Sequence, residues 1–222
     1  MPYAMFENLG LNNSERVSML LYDSANPAPN PRRVRIFLAE KGMRVPVAHV
    51  SIPSGEHRGE DYLKVNPLGQ TPSLALDDGT VLTESTSICR YFEAQHPEPP
   101  LFGIGAQDIA EVDMWCRRVE MRLMVPVGLV WLHNHPFTAR VVKPQFPEFG
   151  ETQRVRALAV MGEFDRALDG QEFLDGRRYS MADILLLTTL DFAAFIGIEM
   201  PEEYEALRAW HDRVSARPSA AA

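Results

Sequence analysis

The chain has 222 residues, 45% hydrophobic and 23% charged, which suits one large or two small soluble domains with a buried core. A formal net charge of −8 argues against a nucleic-acid partner, and the arginines between positions 30 and 35 form too short a run to track phosphates. There is no run of 18 apolar residues, and the first twenty positions lack the basic-then-apolar order of a secretory signal. A cytoplasmic protein with no membrane partner is therefore expected. Cys89 and Cys116 show neither a CxxC nor a zinc spacing and fall in apolar stretches, as buried thiols do.

Residues 1–16 have mixed polarity without periodicity and read as an N-terminal arm. The apolar run 17–22 suits a buried strand, and the proline- and asparagine-rich stretch 23–31 is a loop. Asn30 as N-cap and Pro31 at the first helical position predict a helix carrying Val34, Phe37 and Leu38 on one face and stopping at Gly42. A second strand is expected over 45–52, then a polar loop, a helical turn over 61–65 and a turn at Asn66-Pro67-Leu68-Gly69. Ser73-Leu74-Ala75-Leu76 and Thr80-Val81-Leu82 flank Asp78-Gly79, the residue pair of a type I′ hairpin. Glu84 to Ser87 then lead into a helix through Ile88, Tyr91 and Phe92. The order βαβαββα predicts a mixed four-stranded sheet with helices on both faces.

Three prolines within 97–100 open a linker over 98–105, and the remainder reads as helical. A long helix is predicted from Asp108 to about His133, kinked at Pro126. Residues 134–149 read as a loop and 151–168 as an amphipathic helix. Ser180 and Asp183 form a carboxylate version of the capping box ahead of a central apolar helix over 184–196. A last helix is expected over 201–217, with a frayed tail over 218–222. His133-Asn134-His135 offers two imidazoles without a third ligand, so a surface cluster is expected there and no metal site. The fold class is α/β plus all-α, a βαβαββα domain followed by a helical bundle.

Ser85 or Ser87 lies where a helix begins, with unpaired N–H groups and the positive end of the dipole at hand, a place suited to a carboxylate. With Gln70-Thr71-Pro72 before the hairpin and Glu84-Ser85 after it, residues 17–217 resemble the cytosolic glutathione transferases of bacterial type. The resemblance implies a thioredoxin-like glutathione-binding domain over 17–97, the linker 98–105 and an all-helical domain over 106–222. It implies that Pro72 is cis, that the main chain of Thr71 pairs with the cysteinyl unit of glutathione, and that Glu84 and Ser85 hold the γ-glutamyl end. His57 and Gln70 are the candidates for the glycine carboxylate.

The sulfur contact differs from that of the common subfamilies, because the loop after the first strand holds no cysteine and no tyrosine beyond Tyr22. Ala28-Pro29-Asn30 is similar to the Thr-Pro-Asn of one bacterial subgroup. Asn30, Ser24 and backbone N–H groups are therefore the candidates for stabilising the thiolate. Trp115, Arg118, Met121 and Arg122 are candidates for an apolar second substrate between the domains. The resemblance further implies glutathione as co-substrate, no tightly bound cofactor, a homodimer and a role in detoxification. The function it implies is activation of the glutathione thiol for attack on a hydrophobic electrophile. The alternatives are glutathione-dependent disulfide or peroxide reduction at the same site, and a non-catalytic glutathione-binding or regulatory module.

Overall fold

A computed structural model describes residues 19–222. The arm over 1–16 and the first two residues of the expected first strand lie outside the described residues. The chain divides into two compact units after Gln95.

The first unit holds β1 (Met19–Asp23), α1 (Pro29–Glu40), β2 (Val47–His49), α2 (Glu60–Val65), β3 (Ser73–Leu76), β4 (Val81–Thr83) and α3 (Ser85–Gln95). The sheet order is β2-β1-β3-β4. β1 runs parallel to β2 with Leu21 opposite Val47, and antiparallel to β3 with Leu21 opposite Leu74. This is the βαβαββα arrangement expected from the sequence. Leu21, Leu74, Val34, Phe37, Ile88 and Phe92 are buried and form the core between the sheet and the packed pair α1 and α3. The second strand is shorter than its apolar run, because only three residues pair with β1.

Two local expectations are corrected. Helix α1 begins at Pro29 rather than Pro31, and Ala28 is the N-cap in an extended conformation (φ −59°, ψ 113°) without a side-chain cap. Pro29 accounts for this, since it suits the first helical turn and excludes the α region for the residue before it. The hairpin is not a type I′ turn. Gly79 has φ +85° while Asp78 does not enter the left-handed region, and Leu76 N donates to Thr80 O (2.8 Å) across a three-residue loop. The Asp78 carboxylate accepts from Thr80 N (2.8 Å) and stabilises a local turn ahead of the glycine.

The second unit contains α4 (Gly105–Arg118), α5 (Val125–Asn134), α6 (Pro147–Leu168), α7 (Met181–Phe195) and α8 (Glu205–Ser215). Leu101 and Phe102, within the stretch expected as linker, are buried, and Leu101 O accepts from Met181 N (2.8 Å). The expected kink at Pro126 is instead a π-helical segment, Val119–Met124, that joins α4 to α5. Proline has no N–H and crowds the carbonyl four residues earlier. Widening the preceding turn relieves both, and Val125 N donates to Glu120 O, five residues back. α6 starts at Pro147, four residues before the amphipathic pattern, because proline is a good first helical residue. The last five residues are not frayed: Pro218–Ala221 is a 3₁₀ turn that buries Ser219 and Ala220.

Helix α7 is buried along Met181 to Leu190 and packs against α4, α5 and α8. Its start is fixed by the Asp183 carboxylate, which accepts from Ser180 N (2.9 Å), Ser180 Oγ (3.0 Å), Leu174 N (3.1 Å) and Trp210 Nε1 (3.0 Å). The capping box expected at Ser180 and Asp183 is present. His133 and His135 at the end of α5 each accept a backbone N–H, from Phe146 (3.3 Å) and Phe137 (3.2 Å), and each packs against aromatic rings.

Candidate glutathione site

The site is built on the first unit around Thr71. The Thr71–Pro72 bond is cis. Among the described residues, neither the N–H nor the C=O of Thr71 is hydrogen-bonded, so one residue beside the sheet presents a donor and an acceptor together. Its hydroxyl is used internally. Ser24 Oγ donates to Val50 O (2.8 Å), and because a hydroxyl carries one proton, the 2.8 Å contact between Ser24 and Thr71 has Thr71 as donor. Ser24 is 2% exposed. It therefore ties the loop after β1 to Thr71, and its proton is already committed.

Asn30 stands in the first turn of α1. The buried Arg33, one turn on, donates from Nη1 to Asn30 Oδ1 (2.6 Å). A guanidinium has no acceptor, so this contact fixes which end of the amide faces it. Asn30 Nδ2 is left as a donor without an acceptor among the described residues. Arg35 braces the same loop through Asp23 Oδ1 (2.7 Å), Ser24 O (2.9 Å) and Asn26 Oδ1 (2.5 Å).

Helix α3 begins at Ser85, and Glu84 before it is the one non-glycine residue with positive φ (64°) among the described residues. Such a conformation costs about 1–3 kcal/mol and is typical of ligand sites. Ser85 is 6% exposed, and its hydroxyl has no partner among the described residues. The N–H groups of this first turn lie where a helix offers no carbonyl of its own. The Glu84 side chain is exposed.

His57 sits in a 3₁₀ turn, Glu56–Arg58, that docks on the Leu68-Gly69 turn, where Arg58 Nη1 donates to Leu68 O (3.1 Å). Burial, followed by the Arg58 charge, pushes the imidazole below its usual pKa, with the Ser51 carbonyl acting against both. A neutral ring is thereby favoured near pH 7, and its buried Nδ1 makes no hydrogen bond of ordinary geometry. The Gln70 side chain is exposed.

Gly69 has φ +58°, and a Cβ there would lie 2.8 Å from His57 O and 2.9 Å from Arg58 Cδ. Gly69→Ala is expected to destabilise the fold by about 1–3 kcal/mol from backbone strain, with the clash in addition. Gly79→Ala, with φ +85° and nothing within 4 Å of the new Cβ, gives the strain alone. Urea unfolding of the two variants checks this. Equal losses would mean that the docked turn yields freely.

On the second unit, Trp115, Arg118 and Arg122 line a groove of about 190 Å³ with Val160, Glu163, Phe164 and Ala167. Arg118 lies over the Trp115 ring, 4.5 Å from its centroid, and Arg122 pairs with Glu163 (2.8 Å). Met121 does not line the groove and is 64% exposed.

Sequence reasoning overlooked Arg33 and the buried side chains Tyr62, Asn66 and Ser73 behind Thr71. Arg33 had a visible signal, since i and i+3 meet on a helix. Tyr62 had none, because its partners lie across a turn that only the fold closes.

A mixed four-stranded sheet with its connecting helices, followed by an all-helical unit, is the architecture of a thioredoxin-like domain joined to a helical bundle. Residues 28–95 match the family model "Glutathione S-transferase, N-terminal domain", and residues 130–218 match "Glutathione S-transferase, C-terminal domain". The chain is 39% identical over 214 residues to Glutathione S-transferase 2 of Saccharomyces cerevisiae, covering 94% of this chain and 91% of the relative. It is similar to the crystal structure of Gtt2 from Saccharomyces cerevisiae, with a TM-score of 0.84, 38% identity and coverage of 90% and 97% of the two chains. A glutathione S-transferase domain-containing protein of Marinobacter aquaeolei has a TM-score of 0.85 at 36% identity, over 90% and 98% of the chains. The chain belongs to the glutathione S-transferase family and is a glutathione transferase enzyme, with the thioredoxin-like and helical parts of that fold.

Proposed function

We propose that this enzyme holds glutathione along Thr71 and the start of α3, ionises its thiol, and adds the sulfur to a hydrophobic electrophile. The observation that carries this reading is the unpaired N–H and C=O of Thr71, a main-chain match for a peptide ligand. The unpartnered Ser85 hydroxyl and the first-turn N–H groups of α3 suit the γ-glutamyl carboxylate, with Glu84 beside them for its ammonium. His57, favoured neutral, and Gln70 suit the glycine carboxylate as hydrogen-bond donors rather than as charges.

For the sulfur we assign Asn30 rather than Ser24, since the amide has a donor to spare and the serine does not. The apolar co-substrate is assigned to the groove of Trp115, Arg118 and Arg122, whose Trp115, Val160, Phe164 and Ala167 side chains suit a hydrophobic electrophile. Family-like dimerisation and a detoxifying role belong to the same proposal.

Disulfide and peroxide reduction would use the same thiolate, and a panel of a haloarene, an organic peroxide and a mixed disulfide with glutathione separates the reactions. Conjugation of the haloarene is the expected result. Glutathione at about 100 times its dissociation constant should stabilise the fold by about 2.7 kcal/mol. No thermal shift and no turnover on any of the three would overturn the proposal.

A further inference from the structure

Behind Thr71 lies a buried polar cluster with no counterpart in the chemistry described so far. Tyr62 on α2 is 4% exposed, Asn66 at the end of that helix 2%, and Ser73 at the start of β3 0%. All three converge on one backbone atom, the carbonyl oxygen of Gln70. Tyr62 OH donates to it at 2.6 Å, Asn66 Nδ2 at 2.7 Å, and Ser73 Oγ lies at 3.5 Å. The donors also brace one another: Ser73 Oγ accepts from Asn66 Nδ2 (3.1 Å) and contacts Tyr62 OH (3.0 Å). Asn66 Oδ1 accepts from Leu68 N (3.0 Å), which leaves its NH₂ facing the carbonyl. Burial pushes the Tyr62 phenol above its usual pKa, so it carries its proton throughout the neutral range.

The peptide between Gln70 and Thr71 is trans. In a planar trans peptide the C=O and N–H point in opposite directions. Fixing the Gln70 oxygen in the interior therefore turns the Thr71 N–H away from it. We propose that Tyr62 and Asn66 are positioning residues for glutathione, which lock the Gln70–Thr71 peptide plane so that the Thr71 N–H meets the tripeptide's main chain. The inference rests on the reading that glutathione binds at Thr71. It adds that this donor is aimed in advance by side chains that never touch the ligand, so that little ordering is left to be done on binding.

The test uses the full-length protein. Tyr62→Phe removes one oxygen and keeps the ring, which packs edge-on against Tyr22 with their centroids 5.7 Å apart. Its dissociation constant for glutathione, measured by calorimetry, is expected to rise about five- to tenfold. At saturating glutathione, kcat and the pH profile of the thiol should stay within about twofold of the parent. A variant that melts earlier yet binds glutathione as tightly as the parent would reduce Tyr62 to a structural role and overturn the proposal.

Amide hydrogen exchange on the unaltered protein gives a readout that does not depend on a variant folding. Glutathione should slow exchange at Thr71 at least tenfold, and bound glutathione without protection there also overturns the proposal. If the parent itself fails to bind millimolar glutathione, the site assignment fails instead, and the two failures are thereby told apart.

Discussion

Replacing Asp183 by alanine is expected to lower the unfolding free energy by about 3–5 kcal/mol. The carboxylate is fully buried and accepts from two backbone N–H groups, the Ser180 hydroxyl and the Trp210 indole. An alanine leaves all four donors inside the protein without a partner. Each buried unsatisfied group costs about 1–3 kcal/mol, and removing one member of a buried charged network costs at the upper end of the usual mutational range. For a chain of this size, about 2–4 °C of melting temperature is lost per kcal/mol. Thermal unfolding followed by circular dichroism should therefore show a drop of roughly 6–20 °C. A drop below about 3 °C would mean that α7 does not depend on this group for its start.

The same carboxyl gives the effect a pH dependence whose sign is fixed. Burial pushes Asp183 from its usual 3.8 up to about 6, outweighing the hydrogen bonds from Leu174, Trp210 and Ser180 that lower it. With the folded pKa above the unfolded one, the folded state binds the proton more tightly. The stabilisation from protonating this group is complete below about pH 4 and is lost as the pH rises through about 6. A shift of roughly two units corresponds to about 3 kcal/mol. Other titrating groups cancel between the parent and Asp183→Ala. The stability gap between the two should thus widen by up to about 3 kcal/mol from pH 7 to pH 4. A gap that stays flat over that interval would place the carboxyl's folded pKa near its unfolded one.

The parts of this molecule that were legible in the sequence are those with short-range causes. Ser180 and Asp183 are three residues apart and bond across one helical turn, so composition and spacing sufficed. Short apolar runs bounded by turn residues located the strands, and Ser85 at the head of α3 followed from the helix pattern beginning at Ile88. Errors arose where two local signals competed. Asn30-Pro31 read as the helix start, but Pro29 two residues earlier also suits the first helical turn, and it prevailed because its ring excludes Ala28 from the helix. Asp78-Gly79 matched the preferred two-residue turn, yet the Asp78 carboxylate preferred its own contact with Thr80 N and left only the glycine left-handed. Pro126 announced a distortion correctly, but whether a helix kinks or widens is decided by what packs around it. What the sequence hid entirely were contacts closed by the fold, such as Tyr62 reaching the Gln70 carbonyl, or Ser24 giving up its proton to Val50, 26 residues away.

That last contact bears directly on the chemistry, because it separates two residues that the sequence left side by side as candidates. A cysteine thiol has a pKa near 8.5, so only about 3% is ionised at pH 7 without help. A hydrogen bond to a charged acceptor contributes about 1.5–3 kcal/mol, and one pKa unit corresponds to about 1.4 kcal/mol. If Asn30 Nδ2 donates to the sulfur, Asn30→Ala should raise the apparent pKa of bound glutathione by about 1–2 units. It should also slow turnover at pH 6.5 by about 10- to 100-fold.

The deficit should close as the pH approaches 10, where the thiolate forms unaided, and this recovery distinguishes a lost sulfur contact from a damaged fold. Ser24→Ala should instead lower stability and leave the pH profile in place, since its hydroxyl bridges Val50 and Thr71. Titration of thiolate absorbance near 240 nm, with pH–rate curves for both variants, measures each effect. An unmoved profile in Asn30→Ala would remove the amide from the mechanism and leave the thiolate to the backbone N–H of residue 30, flanked by two prolines that have none, and to the dipole at the start of α1. That N–H and the dipole survive the substitution, which is why the two sources of stabilisation can be separated by this one change.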